Sequence, residues 1–313
     1  MSFLKEDKVV FLSIERYVRH AEIFDQEKLL QKKIALQGSG HGPEFMQYCL
    51  AGLGVGGVAN NCYNITNPHE LNPRIKRLKE DDCNETLVLN ESDPVVAGID
   101  AAMLVVESCS GKKPFKKVSL ASDTLDKKIA VIGAGGIGTY AALFGGLCGA
   151  TLDVYDYDTV EASNLNRQVF YGNHILEKKS FSLKEELPFI REAYDMKITE
   201  ETVESLKEYD LVFSCVDNAE TRVLLDSYCH DNIPLIDGGT SAKTGRVNYC
   251  GRPLGEQITL KKKQRARCME ADSSVVMPNM IVAAAMVSHA CSQDEKSIHY
   301  DMRENILYEG RND

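Results

Sequence analysis

Short apolar runs alternate with glycine turns and apolar helical stretches along this chain, the pattern of strand–helix–strand units. KIALQ at Lys33–Gln37 and KIAVI at Lys128–Ile132 each run straight into a glycine-rich turn. Further strands are predicted at Thr151–Tyr155, Asp210–Cys215 and Pro234–Asp237. Helices are predicted after each glycine turn and at Ser180–Glu192, Ala219–Cys229 and Pro278–Cys291. Strands alternating with helices imply a parallel sheet covered on both faces. The expected fold is therefore α/β: a doubly wound, Rossmann-like, mostly parallel sheet with a smaller α/β domain before it.

Two stretches match almost without gaps. KKIALQGSGHGPEFMQYCLAGLGVGG starts at Lys32, and KKIAVIGAGGIGTYAALFGGLCGA starts at Lys127. Each continues to a polar loop with a Leu-Asn pair, LNPR in the first and LNRQ in the second. AAMLVVESCSG near Met103 then echoes YDLVFSCVDN near Leu211. Such self-similarity reads as a duplication. The polar stretch Gly111–Asp123 carries a proline and reads as a linker. The expected organisation is a degenerate Rossmann-like domain over 1–118 and a second, fuller Rossmann-like domain over 119–313.

Composition narrows the function. With 313 residues, 43% hydrophobic and 26% charged, the chain can bury a core of globular size. A net charge of -10 makes it a poor binder of nucleic-acid backbone, and the basic stretch Lys261–Arg267 reads as a solvated loop. No run reaches the roughly 18 apolar residues of a membrane span; MIVAAAMV near Met280 reads as a buried helix. MSFLKEDKVV carries charges where a signal peptide needs an apolar core, so a cytoplasmic location is expected. The ten cysteines include no CxxC pair, so no zinc is expected. Cys148 and Cys215 lie in apolar contexts and read as packing residues.

The second copy carries the chemistry. Gly133, Gly135 and Gly138 form G-x-G-x-x-G between a strand and a helix, with Gly136 inside the turn. That pattern places phosphate at a helix N-terminus. Asp156 ends the next strand, where a carboxylate holds ribose hydroxyls. In the first copy the matching positions are Gly38, Gly40, Pro43 and Asn61, which lack the third glycine and the acid. That copy reads as a nucleotide fold that no longer binds nucleotide. The glycine turn with Asp156 does not separate NAD from ATP. Asn164, Arg167 and Gln168 follow just past the ribose acid, and an arginine beside phosphates suits triphosphate cleavage. Asp217 ends the next strand, where a carboxylate can hold Mg²⁺ on the phosphates.

Together GAGGIG, DYDTVEASNLNRQ, CVDNAETR and PLIDGGT resemble the ubiquitin-activating-like adenylating enzymes of the MoeB/ThiF group, from about Lys127 onward. RYVRH at Arg16–His20 resembles that group's N-terminal R-Y-x-R-Q. The resemblance implies that a carboxylate attacks the α-phosphate of ATP, giving an acyl adenylate and pyrophosphate. By the same resemblance Gly133–Gly138 hold the phosphates, Asp156 the ribose, and Asn164 and Arg167 the triphosphate. Lys179, or else Lys178, stands for the family lysine, and Asp217 holds Mg²⁺. Arg19 matches the arginine that reaches the γ-phosphate across a dimer interface, and Cys268 the cysteine many members carry in the crossover loop before Pro278.

The group's paired CxxC zinc ligands are missing, since Cys250, Cys268 and Cys291 stand apart. Neither a sulfur-transfer domain nor an inserted catalytic-cysteine domain is expected. These departures favour a small-molecule or peptide carboxylate as substrate over the C-terminal glycine of a ubiquitin-like sulfur carrier. A homodimer is expected; completion of the site within one chain, by Arg19 from the first copy, is the competing arrangement. A NAD-dependent oxidoreductase and a silent partner subunit are the alternatives outside this chemistry.

Overall fold

The computed structural model describes residues 16–17, 23–60, 72, 74–230, 232–250, 273–292 and 296–310. Arg19, Asn61, Cys268 and the basic stretch 261–267 lie outside the described residues.

Two sheets form. The smaller is wholly parallel, in the order β3-β2-β1-β4, from β1 (Lys33–Gly40), β2 (Gly57–Asn60), β3 (Lys76–Arg77) and β4 (Glu85–Glu91). It is preceded by α1 (Gln26–Gln31), and α2 (Gly42–Leu53) links β1 to β2. α3 (Pro94–Ser110) follows β4. Asp93 caps α3 by accepting the Val95 and Val96 N–H groups at 2.8 and 3.0 Å, and Pro94 occupies its first turn. The stretch near Met103 is thus helix. β4, rather than the stretch near Met103, pairs with β1 in the way that Leu211–Ser214 pairs with Lys128–Ile132.

The larger sheet has nine strands, in the order β5-β13-β12-β11-β10-β9-β6-β7-β8. Its parallel part comprises β6 (Lys128–Ile132), β7 (Thr151–Tyr155), β8 (Ile190–Tyr194), β9 (Leu211–Ser214) and β10 (Leu235–Thr240). β11 (Thr244–Cys250), β12 (Ile298–Asp301) and β13 (Ile306–Glu309) extend it antiparallel. β5 (Phe115–Lys116) pairs with β13, so the stretch read as a linker supplies the sheet's edge. The helices are α4 (Gly136–Leu147), α5 (Lys179–Glu186), α6 (Ala219–Cys229) and α7 (Val276–Ser292). The helix expected over Ser180–Glu192 stops at Glu186, because Pro188 ends it, and Ile190 pairs with Leu152 in the edge strand β8.

β2-β1-β4 has the same connectivity as β7-β6-β9, with every pair parallel. The two copies also share one core. Phe45 on α2 meets Phe144 on α4 edge-on at 5.0 Å, and Tyr48 meets Tyr140 at 6.2 Å. Gly98 on α3 is needed because a Cβ there would sit 2.4 Å from the Phe144 ring. α7 is buried along its length between the copies, and each fully buried Met, Ile or Val there contributes roughly 1.5–3 kcal/mol. A second apolar cluster, including Leu206, Val212 and Leu225, lies on the other face of the large sheet. Among the described residues no helix is long and apolar enough to cross a membrane.

Candidate functional site

The strands β6, β7, β9 and β10 end on one edge of the large sheet, and a cavity of about 1320 Å³ opens there. Ligands in open parallel sheets bind at that edge. The glycine turn forms its floor. Gly133 has φ 97°, a left-handed conformation that favours glycine. A Cβ on Gly138 would lie 1.8 Å from the Gly133 carbonyl oxygen, so the third glycine lets α4 close on β6. A Cβ on Gly136 would meet the Asn279 Oδ1 at 2.6 Å, whereas Gly135 has nothing within 4 Å. Gly135 caps α4 with no side-chain hydrogen bond, so the first N–H groups of the helix face open space suited to an anion.

Asp156 closes the turn from the side. Its carboxylate accepts the Ala134 N–H at 2.6 Å and the Asp158 N–H at 2.8 Å. Burial pushes this carboxyl above the ordinary range, against the pull of Lys179. Lys179 is itself 8% exposed and pairs with Asp158 at 2.9 Å. Lys178 turns elsewhere, to Asp195 at 2.9 Å, so of the two candidate lysines only Lys179 lines the cavity.

The loop 162–168 borders the same space. Asn164 uses its Oδ1 to accept the Glu161 N–H at 3.0 Å. The Arg167 guanidinium donates to the Ser163 carbonyl at 2.7 Å and the Asn166 Oδ1 at 2.9 Å. Asp217 is exposed in the loop after β9 and has no hydrogen bond or ion pair among the described residues. Gly133, Gly135, Gly136, Asp156, Asn164, Arg167, Lys179 and Asp217 therefore line one cavity, with Gly138 packed beneath. Arg19 and Cys268 are outside the described residues.

Three contributors were not assigned from the sequence. Arg222 donates to the Val216 carbonyl, to Asp237 and to the Gly238 carbonyl, each at 2.8 Å. Asp237 is fully buried and also accepts the Ser214 hydroxyl at 2.7 Å. This clamp fixes the loop that carries Asp217. CVDNAETR and PLIDGGT contain both partners, but only strand pairing brings them together. The third is Arg16, which donates to the Leu165 carbonyl at 2.6 Å from behind the loop 162–168. RYVRH was the signal, although the expected role fell on Arg19.

Among the described residues one group, His174, Glu177 and Glu185, has metal-ligand proximity. It lies outside the cavity lining. The His174 Nδ1 accepts the Tyr171 N–H at 3.1 Å, so in the neutral ring Nε2 keeps its proton and offers no lone pair to a metal.

The sequence profile of the ThiF family matches residues 115–293. The adenylyltransferase and sulfurtransferase uba4 of Neosartorya fischeri is 36% identical over 138 residues, covering 42% of this chain and 27% of that protein. The molybdopterin-synthase adenylyltransferase of Haemophilus influenzae is 35% identical over 130 residues, covering 39% of this chain and 54% of the relative. The chain thus spans about a quarter and about half of the length of these two relatives. A crystal structure of E. coli MccB with ATP superposes at TM-score 0.50 with 20% identity, covering 60% of this chain and 64% of that one. At this identity the likeness is one of fold. The matched segment runs from β5 into α7 and takes in the glycine turn, the loop 162–168 and the Asp217 loop; with more than half of its length under that profile, this chain belongs to the ThiF family.

Proposed function

We propose that the chain is an ATP-dependent adenylyltransferase acting on a carboxylate. The observation that carries this reading is the position of Arg167, Lys179 and an unpaired Asp217 around the glycine turn of one cavity. Hydride transfer from a nicotinamide has no need of those charges beside the phosphates, whereas triphosphate cleavage does. The N–H groups at the start of α4 hold phosphate oxygens, Asp156 accepts from the ribose hydroxyls, and Asn164 orients the triphosphate. Arg167 and Lys179 neutralise charge as a substrate carboxylate oxygen attacks the α-phosphorus. A phosphorus–oxygen bond forms to the acid, the bond to the β-phosphate breaks, and pyrophosphate departs with the electron pair.

Asp217 fits Mg²⁺, because its carboxylate is exposed to the cavity and unpaired among the described residues. When bound there the ion supplies charge neutralisation on the phosphates. We infer no zinc requirement, since the cysteines lack paired spacing. Roles for Arg19 at the γ-phosphate and for Cys268 as an acyl acceptor rest on the sequence resemblance. The substrate reading remains a small-molecule or peptide carboxylate in the cytoplasm, with a ubiquitin-like sulfur carrier as the alternative. A homodimer is the arrangement the family resemblance supports. Against it, the chain's own N-terminal half packs behind the loop 162–168, through Arg16 and through Gly52 beside the Asn166 carbonyl. This contact favours a site completed within one chain, and the mass in solution decides.

The test is ATP–pyrophosphate exchange across a panel of carboxylic acids. Arg167→Ala and Asp217→Ala should each lower exchange about 10³-fold or more while the fold is retained. Exchange that survives both substitutions refutes the site. Tight NADH binding with no binding of ATP refutes the chemistry.

A further inference from the structure

The cavity of about 1320 Å³ exceeds the roughly 300–1,000 Å³ that a single small ligand occupies. The residues assigned to ATP line its β6–β7–β9 side. The remaining space lies over β10, β11 and β12, and three arginines face it: Arg222, Arg246 and Arg303. Two of them are neutralised by carboxylates. Arg222 pairs with Asp237 at 2.8 Å, and Arg303 pairs with Asp301 at 2.6 Å. Arg246 has no hydrogen bond or ion pair among the described residues and only attracts Asp237, whose direct partner is Arg222, from farther off, on a chain whose net charge is -10.

Strand register places Arg246 accurately. On β11 it sits opposite Gly239 of β10 and His299 of β12. A Cβ on Gly239 would lie 3.3 Å from the Arg246 Nε and 3.3 Å from the Arg222 Nη1. Two guanidinium groups therefore border the same point above a residue with no side chain. His299 stacks on Tyr308 at 5.6 Å and walls the far side. Burial and the nearby Arg246 pull the His299 imidazole below its ordinary value, which keeps it neutral and leaves the positive charge on the arginine.

We propose that Arg246, over Gly239 at the β10–β12 end of the cavity, binds a second anionic group of the substrate, so that the acid to be activated carries another carboxylate or a phosphate a few bonds from its reacting carboxyl. Two strand spacings separate β11 from the strand that leads to Asp217, about 10 Å, and a small diacid with an extended arginine can bridge that distance. The inference rests on the adenylation reading for the identity of the reacting carboxyl. It does not rest on it for the anion site. A carrier tail ending in glycines brings no such charge. A released pyrophosphate is the other source of an anion at this position.

The probes are glutarate and glutaramate, which differ by one charge, with succinate and succinamate as a shorter pair. Calorimetric titration into the ATP-loaded chain should show each diacid bound about 10- to 100-fold more tightly than its monoamide, the range for one charged hydrogen-bonded contact. Arg246→Gln should bring that ratio to about one, and Arg246→Lys, which keeps the charge, should retain part of it. In ATP–pyrophosphate exchange the diacid-to-monoamide ratio of kcat/KM should fall in the same way. Equal wild-type affinity for acid and amide, or a ratio unmoved by Arg246→Gln, overturns the proposal. A rise in the KM for pyrophosphate with an unchanged ratio also overturns it, by assigning Arg246 to the leaving group. Absence of exchange with every acid, together with an Arg246-dependent diacid preference in binding, overturns adenylation and leaves the anion site standing.

Discussion

Replacing Arg222 with methionine tests how the Asp217 loop is held. The substitution removes three hydrogen bonds, to the Val216 carbonyl, Asp237 and the Gly238 carbonyl. It leaves the Asp237 carboxylate fully buried, with the Ser214 hydroxyl as its remaining donor. Deleting one partner of a buried ion pair costs about 3–5 kcal/mol, and the surviving serine bond favours the lower end, about 3 kcal/mol. pH modulates that cost. Burial already holds Asp237 above the ordinary carboxyl range, with Arg222 opposing it. Without Arg222 the folded-state value climbs further. A raised carboxyl favours folding where it is protonated, and that contribution is lost as pH rises through the folded value. The variant's deficit should therefore be smallest in acid, where Asp237 is protonated in both states, and should grow as pH rises above the ordinary carboxyl range, read by urea denaturation. Adding Asp237→Asn removes the stranded charge and should recover about 2 kcal/mol. It cannot replace the bond to the Val216 carbonyl, so exchange should stay depressed in the double variant. A single variant that loses less than about 1 kcal/mol, a deficit that ignores pH, or a double variant that regains exchange along with stability would refute the clamp.

Gly138→Ala drives a Cβ into the Gly133 carbonyl oxygen, a backbone atom 1.8 Å away; it should cost at least about 1–3 kcal/mol in urea denaturation and abolish ATP binding by calorimetry. Gly52→Ala places a Cβ 2.5 Å from the Asn166 carbonyl; a displaced loop should lower exchange by up to about 10²-fold, and unchanged exchange would show that the contact yields freely. The neighbouring Cys148 thiol pulls the half-buried Cys291 below the ordinary thiol value, while burial raises Cys83. Iodoacetamide should therefore modify Cys291 ahead of Cys83 at neutral pH in peptide mass spectra, faster as pH rises; faster labelling of Cys83 contradicts the assignment.

Much of the fold was legible because its signals are local. β6, β7 and α6 run at Lys128–Ile132, Thr151–Tyr155 and Ala219–Cys229, the spans that apolar periodicity predicts. The errors arose where a neighbouring element decides. Pro188 ends α5 and lets Ile190 join the sheet beside Leu152, which no helical period reveals. Phe115 and Lys116 read as linker because two residues carry no period, and they become a strand only because Ile306 and Leu307 offer an edge. The cavity was legible in the same way. Gly133, Asp156 and Asp217 follow strands whose ends must converge in a parallel sheet. The Arg222–Asp237 pair depends on β9 lying beside β10, and Arg246 on antiparallel register with β10 and β12, so neither could be read from spacing along the chain.

The N-terminal sheet and its helices also acquire a physical role in this arrangement. They lack the third glycine of the turn, yet α2 and α3 pack on α4 and α7, the helices that flank the glycine turn and Asn279. The loop 162–168 is held between the cavity on one side and the N-terminal half on the other. At its back Arg16 donates to the Leu165 carbonyl, and Gly52 admits the Asn166 carbonyl where any side chain would exclude it. Burial pulls the Arg16 guanidinium down to about 10, the mark of a charge taken out of water to serve one contact. A void of about 10 Å³ lies between Arg16 and Gln168, whose Nε and Oε1 are both without hydrogen-bond partners. In the proposed adenylation the loop presents Arg167 to a triphosphate, and a rigid back would serve that, since misplacement of about 1 Å can cost 10²-fold in rate. The N-terminal half thus offers a packed surface to the back of the loop 162–168, through Arg16 and through Gly52.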